Sequence, residues 1–133
     1  MPSSVAPIKV LLVDDHEHVL RGLLKLIQGE WPRMAVAGTA RTIAQAFAAA
    51  RDCKPDVIVL DVQLGERSAI DHIPELVRSG AQVLVLTGHN TAKVHGDAIS
   101  HGARVVVMKH EPAEVLLREI ERIHGLRDAG VIQ

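Results

Sequence analysis

Cysteine, aromatic side chains and long apolar runs are what this chain has least of. Its 133 residues contain one cysteine, Cys53, so no disulfide can close within it. That suits a reducing compartment, and the expected location is the cytoplasm, with Cys53 a packed thiol. Trp31 and Phe47 are the whole aromatic complement and tyrosine is absent, which removes any platform for stacking nucleic-acid bases. The net charge is −1, so there is no basic excess to grip a phosphate backbone, and this segment is not expected to bind nucleic acid itself. No apolar run approaches the roughly 20 residues needed to cross a bilayer. The N-terminal MPSSVAPIKV has no cationic start followed by an apolar core, so neither a membrane span nor a secretory signal is expected. Eight histidines are present, but none are paired at i,i+3 or i,i+4, so no helix presents two as neighbouring ligands. They read as scattered surface residues.

What is present is an alternation of two periods. A chain of this length with 47% hydrophobic residues fits one domain that buries about 70% of its unfolded surface. Ile8–Val13 (IKVLLV), Val57–Leu60 (VIVL), Val83–Leu86 (VLVL) and Val105–Met108 (VVVM) are short, continuous, β-branched runs. Continuous apolarity is what strands covered on both faces require, as in parallel sheets. Met34–Ala37 (MAVA) is a weaker fifth strand, suited to an edge.

Helical patterns lie between these runs. Leu20, Leu23, Leu24 and Ile27 share one helix face, closed off by Gly29 and Pro32. Thr42 and Gln45 form a capping box before Ala44–Arg51. Asp71 as N-cap places Pro74 in the first turn of a helix from about His72 to Arg78, where a missing N–H does no harm. A fourth helix, Asn90 to His101, carries Gly96 at its middle, costing about 1 kcal/mol relative to Ala. Leu116, Ile120 and Ile123 mark a last helix that opens at Pro112 and stops near Gly125. Strands alternating with helices predict an α/β three-layer sandwich with right-handed crossovers. The expected division is an extension over 1–7, one domain over 8–124, and a tail or linker start over 125–133.

The strand ends carry the chemistry. In a parallel sheet all C-terminal ends share one edge, where ligands bind. Strand one ends in Asp14 and Asp15, strand three in Asp61, strand four in Thr87 and strand five in Lys109. Like charges about 4 Å apart repel by roughly 4 kcal/mol per pair at an effective dielectric near 20, so cations must offset them. Lys109 supplies one, and a divalent ion is the natural supplement. Hard oxygen ligands select Mg²⁺, completed by water and phosphate oxygens. A carboxylate can attack phosphorus to give an acyl phosphate, while Lys109 and Thr87 engage the phosphoryl oxygens. These parts fit phosphoryl transfer to an aspartate.

LLVDDH (11–16), DVIVLDVQL (56–64), VLVLTGH (83–89) and VVVMKHEP (105–112) resemble, in order, the four signature stretches of response-regulator receiver domains. The similarity runs from about Ile8 to His124, and the wording of DVQLGERSAIDHI and KHEPAEVLLREI is closest to receivers of LuxR/NarL-type regulators. The resemblance implies a flavodoxin-like (βα)5 fold with strand order 2-1-3-4-5. It implies Asp61 as phosphoacceptor, Asp15 as direct Mg²⁺ ligand, Asp14 as an acid acting through water, and the Gln63 carbonyl as a further ligand. Thr87 becomes the switch hydroxyl and Lys109 the lysine that grips the phosphoryl group. The implied partners are a sensor histidine kinase or phosphotransfer protein, and a second copy meeting it through the fourth helix, fifth strand and fifth helix. The implied output is control of transcription through a DNA-binding domain, with the chain itself a regulatory phosphoacceptor and not an enzyme.

Two departures from the family pattern stand out. Val106 occupies the place of the usual aromatic three residues before the lysine, and Gly65 that of a frequent proline after the phosphoacceptor, which implies a more flexible loop. His16 and His89 flank the rim and read as solvated loop residues. An aspartyl-nucleophile hydrolase of the haloacid-dehalogenase type needs D-x-D after strand one, where this chain has adjacent Asp14 and Asp15. A dinucleotide-binding domain needs a glycine-rich loop there, and the acids are its electrostatic opposite. The remaining alternatives are a receiver-like protein-interaction module independent of phosphorylation, and a stand-alone phosphorelay receiver.

Overall fold

The computed structural model describes residues 6–64, 67–88 and 92–128. Five strands form one parallel sheet: β1 (Ile8–Val13), β2 (Met34–Ala40), β3 (Val57–Leu60), β4 (Gln82–Thr87) and β5 (Val105–Met108), in the order 2-1-3-4-5. The helices between and after them are α1 (Glu17–Gln28), α2 (Ile43–Cys53), α3 (Ile73–Arg78), α4 (Ala92–Ser100) and α5 (Ala113–Asp128). β3 is buried along its whole length, as its continuous apolar run requires.

Two cores flank the sheet. Leu23 and Ile27 of α1 and Leu116, Ile120 and Ile123 of α5 pack on one face. Ala46 and Ala50 of α2, Ile73 and Leu76 of α3, and Ala98 of α4 pack on the other. The strand order reverses at β1, whose neighbours are β2 and β3, so the crevice between the ends of β1 and β3 is open to a ligand.

Several local expectations shift. β2 continues three residues past Ala37, because the register slips between Val10↔Val36 and Leu11↔Gly38, leaving Ala37 as a bulge. Gly38 and Thr39 interrupt the apolar run that marked the strand. Thr42 caps α2 through the Gln45 N–H at 3.1 Å, but the Gln45 side chain reaches back to the Arg41 N–H (2.8 Å), one residue earlier than a capping box predicts. Asp71 is not the N-cap of α3: a 3₁₀ turn, Ile70–His72, comes first, His72 takes the cap position, and Pro74 stays in the first turn. Pro112 lies just before α5, and Gly125 does not stop that helix, which runs to Asp128. Asn90 and Thr91 of the expected fourth helix lie outside the described residues, and α4 begins at Ala92.

Gln63–Leu64 pairs antiparallel with Arg67–Ser68, so the chain turns back on itself directly after Asp61; Gly65 itself lies outside the described residues.

Two glycines separate cost from benefit. Gly96 faces open space at the middle of α4, so Gly96→Ala should stabilise by about 1 kcal/mol through helix propensity. Gly102 has φ +116°, and an added Cβ would meet Val77 Cγ2 at 3.3 Å, so Gly102→Ala should destabilise by about 1–2 kcal/mol. Urea melts of the two variants beside the parent check both signs.

Candidate functional site

Each candidate residue follows or ends a strand, and the sheet's hydrogen bonding extends to hold it. The Asp14 N–H donates to the Ala40 carbonyl at the tip of β2 (3.0 Å), and the Asp61 N–H donates to the Val13 carbonyl at the tip of β1 (2.9 Å). The Lys109 N–H donates to the Thr87 carbonyl at the tip of β4 (2.8 Å). Backbone from all five strands therefore fixes the rim. Among the described residues, the polar side chains buried as deeply as the core are Asp14, Asp61 and Thr87, at 0%, 2% and 1% exposure. All of them lie at this one edge.

Short local bonds aim the two buried carboxylates. Asp14 Oδ1 accepts the His16 N–H at 2.8 Å, and Asp61 Oδ1 accepts the Gln63 N–H at 3.0 Å. Both are Asx-type bonds from a residue to the amide two positions on. The second oxygens meet the lysine: Lys109 Nζ donates to Asp61 Oδ2 at 2.9 Å and stands 3.2 Å from Asp14 Oδ2. Asp14 Oδ2 is buried and receives no well-aligned hydrogen bond, so the ammonium charge is its compensation. Asp15 sits higher, with its side chain 29% exposed, and the Arg41 guanidinium donates to its carbonyl at 3.1 Å.

The structure thus brings together Asp14, Asp15, Asp61 and Lys109, and places Thr87 beside Lys109 through the backbone bond. Gln63 contributes its N–H to Asp61. His16 is not a bystander: its Nδ1 stands 3.2 Å from Asp14 Oδ1 and 3.2 Å from Asp15 Oδ1. One donor atom from each of Asp14, Asp15, His16 and Asp61 lies within 4.8 Å of the others, close enough for a single cation to bridge them. Sequence reasoning took His16 as a solvated loop residue near the rim, and its side chain is 61% exposed; its contact with the acids was not foreseen. The usable signal was its adjacency to two acids at a strand end. His89 lies outside the described residues. Val106 is half-buried, paired with Val85 in the sheet and packed against the core beneath α2–α4.

Burial raises the Asp61 carboxyl above its ordinary pKa; the Gln63 N–H and Lys109 pull it down, the Asp14 charge adds to the rise, and the net shift is upward. For Lys109, burial favours the neutral amine, but the hydrogen bond and charge of Asp61, with Asp14 behind, outweigh it and raise its pKa. The lysine is therefore cationic at neutral pH.

A raised carboxyl pKa means that the folded chain holds a proton the unfolded chain has lost. Stability therefore falls as pH rises from the unfolded value through the folded one. Without divalent cations, Asp61→Asn should melt higher than the parent at pH 7, by the order of 1 kcal/mol, and the gap should close towards about pH 4. Thermal melts in EDTA across that range are the check; a variant less stable than the parent at pH 7 contradicts the crowding of charge.

Comparison with known proteins matches this geometry. Residues 10–121 fit the family model of the response regulator receiver domain. The DNA-binding transcriptional activator DevR/DosR of Mycobacterium tuberculosis is 36% identical over 125 residues, covering 92% of this chain and 54% of that protein. The transcriptional regulatory protein MctR of Rhizobium johnstonii is 31% identical over 121 residues, covering 89% and 56% respectively. The chain spans about half the length of these curated relatives. Among solved structures, a LuxR-family two-component response regulator from Aurantimonas sp. SI85-9A1 superposes with a TM-score of 0.82 at 28% identity, over 90% of this chain and 86% of that one. Sequence and fold agree along nearly the same span, and the chain belongs to the family of response-regulator receiver domains.

Proposed function

We propose that this receiver domain accepts a phosphoryl group on Asp61 from a sensor histidine kinase or phosphotransfer protein, and that Mg²⁺ held by Asp14, Asp15, Asp61 and the Gln63 carbonyl supports the transfer. The observation that carries this reading is the buried Asp61 carboxylate held 2.9 Å from Lys109 Nζ beside a second buried acid. The cluster of acid oxygens from Asp14, Asp15 and Asp61 fits a small divalent cation. When bound, such an ion supplies positive charge to the phosphoryl oxygens and to the acids.

The chain's own residues do the rest. An Asp61 oxygen forms the bond to phosphorus as the bond to the donor's leaving atom breaks, and the leaving group takes that electron pair. Lys109 sits where it neutralises a phosphoryl oxygen, and Thr87, at the tip of β4, offers a hydroxyl to another. The domain consumes its own carboxylate and turns over no external substrate, so the role is regulatory.

Thr87 precedes α4, the helix with the thinnest anchorage: its buried residue is Ala98, and Ile99 is 41% exposed. A helix so weakly held shifts at low cost when Thr87 engages a ligand. That gives a switching route without an aromatic at Val106. Ile99 also provides apolar surface on α4 for a second copy meeting the α4–β5–α5 face. The relatives named above are transcriptional regulators, which favours a DNA-binding output for the whole protein. Within the described residues no helix is long and apolar enough to cross a membrane, in keeping with a cytoplasmic role.

Incubation with acetyl phosphate should label the chain once, only with a divalent cation present. Asp61→Asn should abolish the label, and Lys109→Ala should slow labelling at least about tenfold. Label persisting in Asp61→Asn refutes the assignment, and steady phosphate release from varied monoesters favours a hydrolase. Hydrogen exchange should show α4 less protected than α1 and altered by beryllofluoride. Exchange unchanged everywhere after labelling would favour an interaction module that ignores phosphorylation, the reading Val106 keeps open.

A further inference from the structure

Asp14 and Asp61 are set by the sheet and by their own Asx bonds, while the third acid of the pocket, Asp15, stands higher, on the loop from β1 to α1. That loop is gripped from the side. Arg41, the first residue after β2, crosses to it, and its Nη2 donates to the Asp15 carbonyl at 3.1 Å from 26 positions away in the sequence. Nη1 of the same guanidinium stands 3.9 Å from Oε1 of Glu17, the first residue of α1, whose other oxygen pairs with Arg21. One planar group therefore spans both ends of the stretch from Asp15 to Glu17.

Arg41 is itself anchored. Its N–H donates to Gln45 Oε1 of α2 at 2.8 Å, and the carbonyl before it, that of Ala40, accepts the Asp14 N–H at 3.0 Å. The chain at 40–41 thus holds Asp14 through its backbone and Asp15 through a side chain. The Arg41 side chain is 53% exposed, so these polar partners, more than core packing, set its direction.

We propose that Arg41 is a positioning residue of the cation pocket: by holding the Asp15 carbonyl it fixes the loop that carries the Asp15 carboxylate, and so raises the affinity for Mg²⁺. This rests on the reading above, in which Asp14, Asp15 and Asp61 hold that ion. Arginine suits the task because its rigid fork of N–H donors can serve a carbonyl and a carboxylate at once, whereas lysine is a point charge. The bond goes to the main chain of Asp15 and not to its carboxylate, so Arg41 orients the acid without occupying the oxygens that would bind the ion. A bystander surface cation would act in the opposite sense. Positive charge beside a cation pocket repels Mg²⁺, so deleting a bystander tightens binding. Deleting a residue that orients a ligand weakens it, by about tenfold or more.

The test titrates Mg²⁺ into the unphosphorylated chain by calorimetry, comparing the parent with Arg41→Ala and Arg41→Lys, and follows amide hydrogen exchange in EDTA by NMR. Arg41→Ala should bind Mg²⁺ about tenfold more weakly, with Arg41→Lys between it and the parent. Without metal, the Asp15, His16 and Glu17 amides should exchange faster in Arg41→Ala while those at the centre of α1 keep their parental rates. Labelling by acetyl phosphate in that variant should need about tenfold more Mg²⁺ to reach half its highest rate. Mg²⁺ affinity in Arg41→Ala equal to the parent's or above it overturns the positioning role and leaves the cation pocket standing. Exchange raised evenly through the loop and α1 also overturns it, because the whole domain has then loosened. A parent chain that takes up no Mg²⁺ overturns the pocket itself.

Discussion

Parallel pairing that persists one residue beyond the ends of β1, β3 and β5 is the constraint on which the rest of this molecule depends. The Asp14 and Asp61 amides are tied to the tips of β2 and β1, and the Lys109 amide to the tip of β4. The acids cannot back away from one another without breaking sheet hydrogen bonds, and their Asx bonds to His16 and Gln63 restrict side-chain rotation as well. Repulsion that a flexible loop would relax is thereby retained in the fold. It is offset by the Lys109 ammonium, which stands 2.9 Å from Asp61 Oδ2 and 3.2 Å from Asp14 Oδ2.

This arrangement explains the division of labour between the two faces of the sheet. α1 and α5 bury large side chains and share one core with β1, β3 and β4, so they behave as a fixed support. The opposite face is built from alanines of α2 and α4 with Ile73 and Leu76 of α3, and α4 contributes little beyond Ala98. Fewer buried atoms per helix mean a lower cost of displacement. Displacing α4 therefore costs less than displacing α1 or α5.

Val106 stands in the sheet where the family usually has an aromatic, while Asp14, Asp61 and Lys109 stay in contact at the rim. His16 adds to the site itself, setting an imidazole against two acids at the pocket mouth.

Much of this was readable from residue order. Four continuous β-branched runs announce buried parallel strands because alternation is lost when both faces are covered, and the residue after each run names the rim chemistry, since a parallel sheet sends all those ends to one edge. The limits were equally physical. β2 escaped recognition beyond Ala37 because a bulge and Gly38 break the apolar pattern while the ladder continues. Gly125 is a stop signal only where a helix needs one, and α5 carries on through it. Side-chain direction has no linear code: that Lys109 reaches Asp61 across 48 residues, and Asp14 as well, and that the exposed His16 ring stands against two acids, follows from packing in three dimensions. Order along the chain specified which groups reach the edge; the distances between them, and hence their pKa shifts and their fit to a cation, exist only once the strands lie side by side.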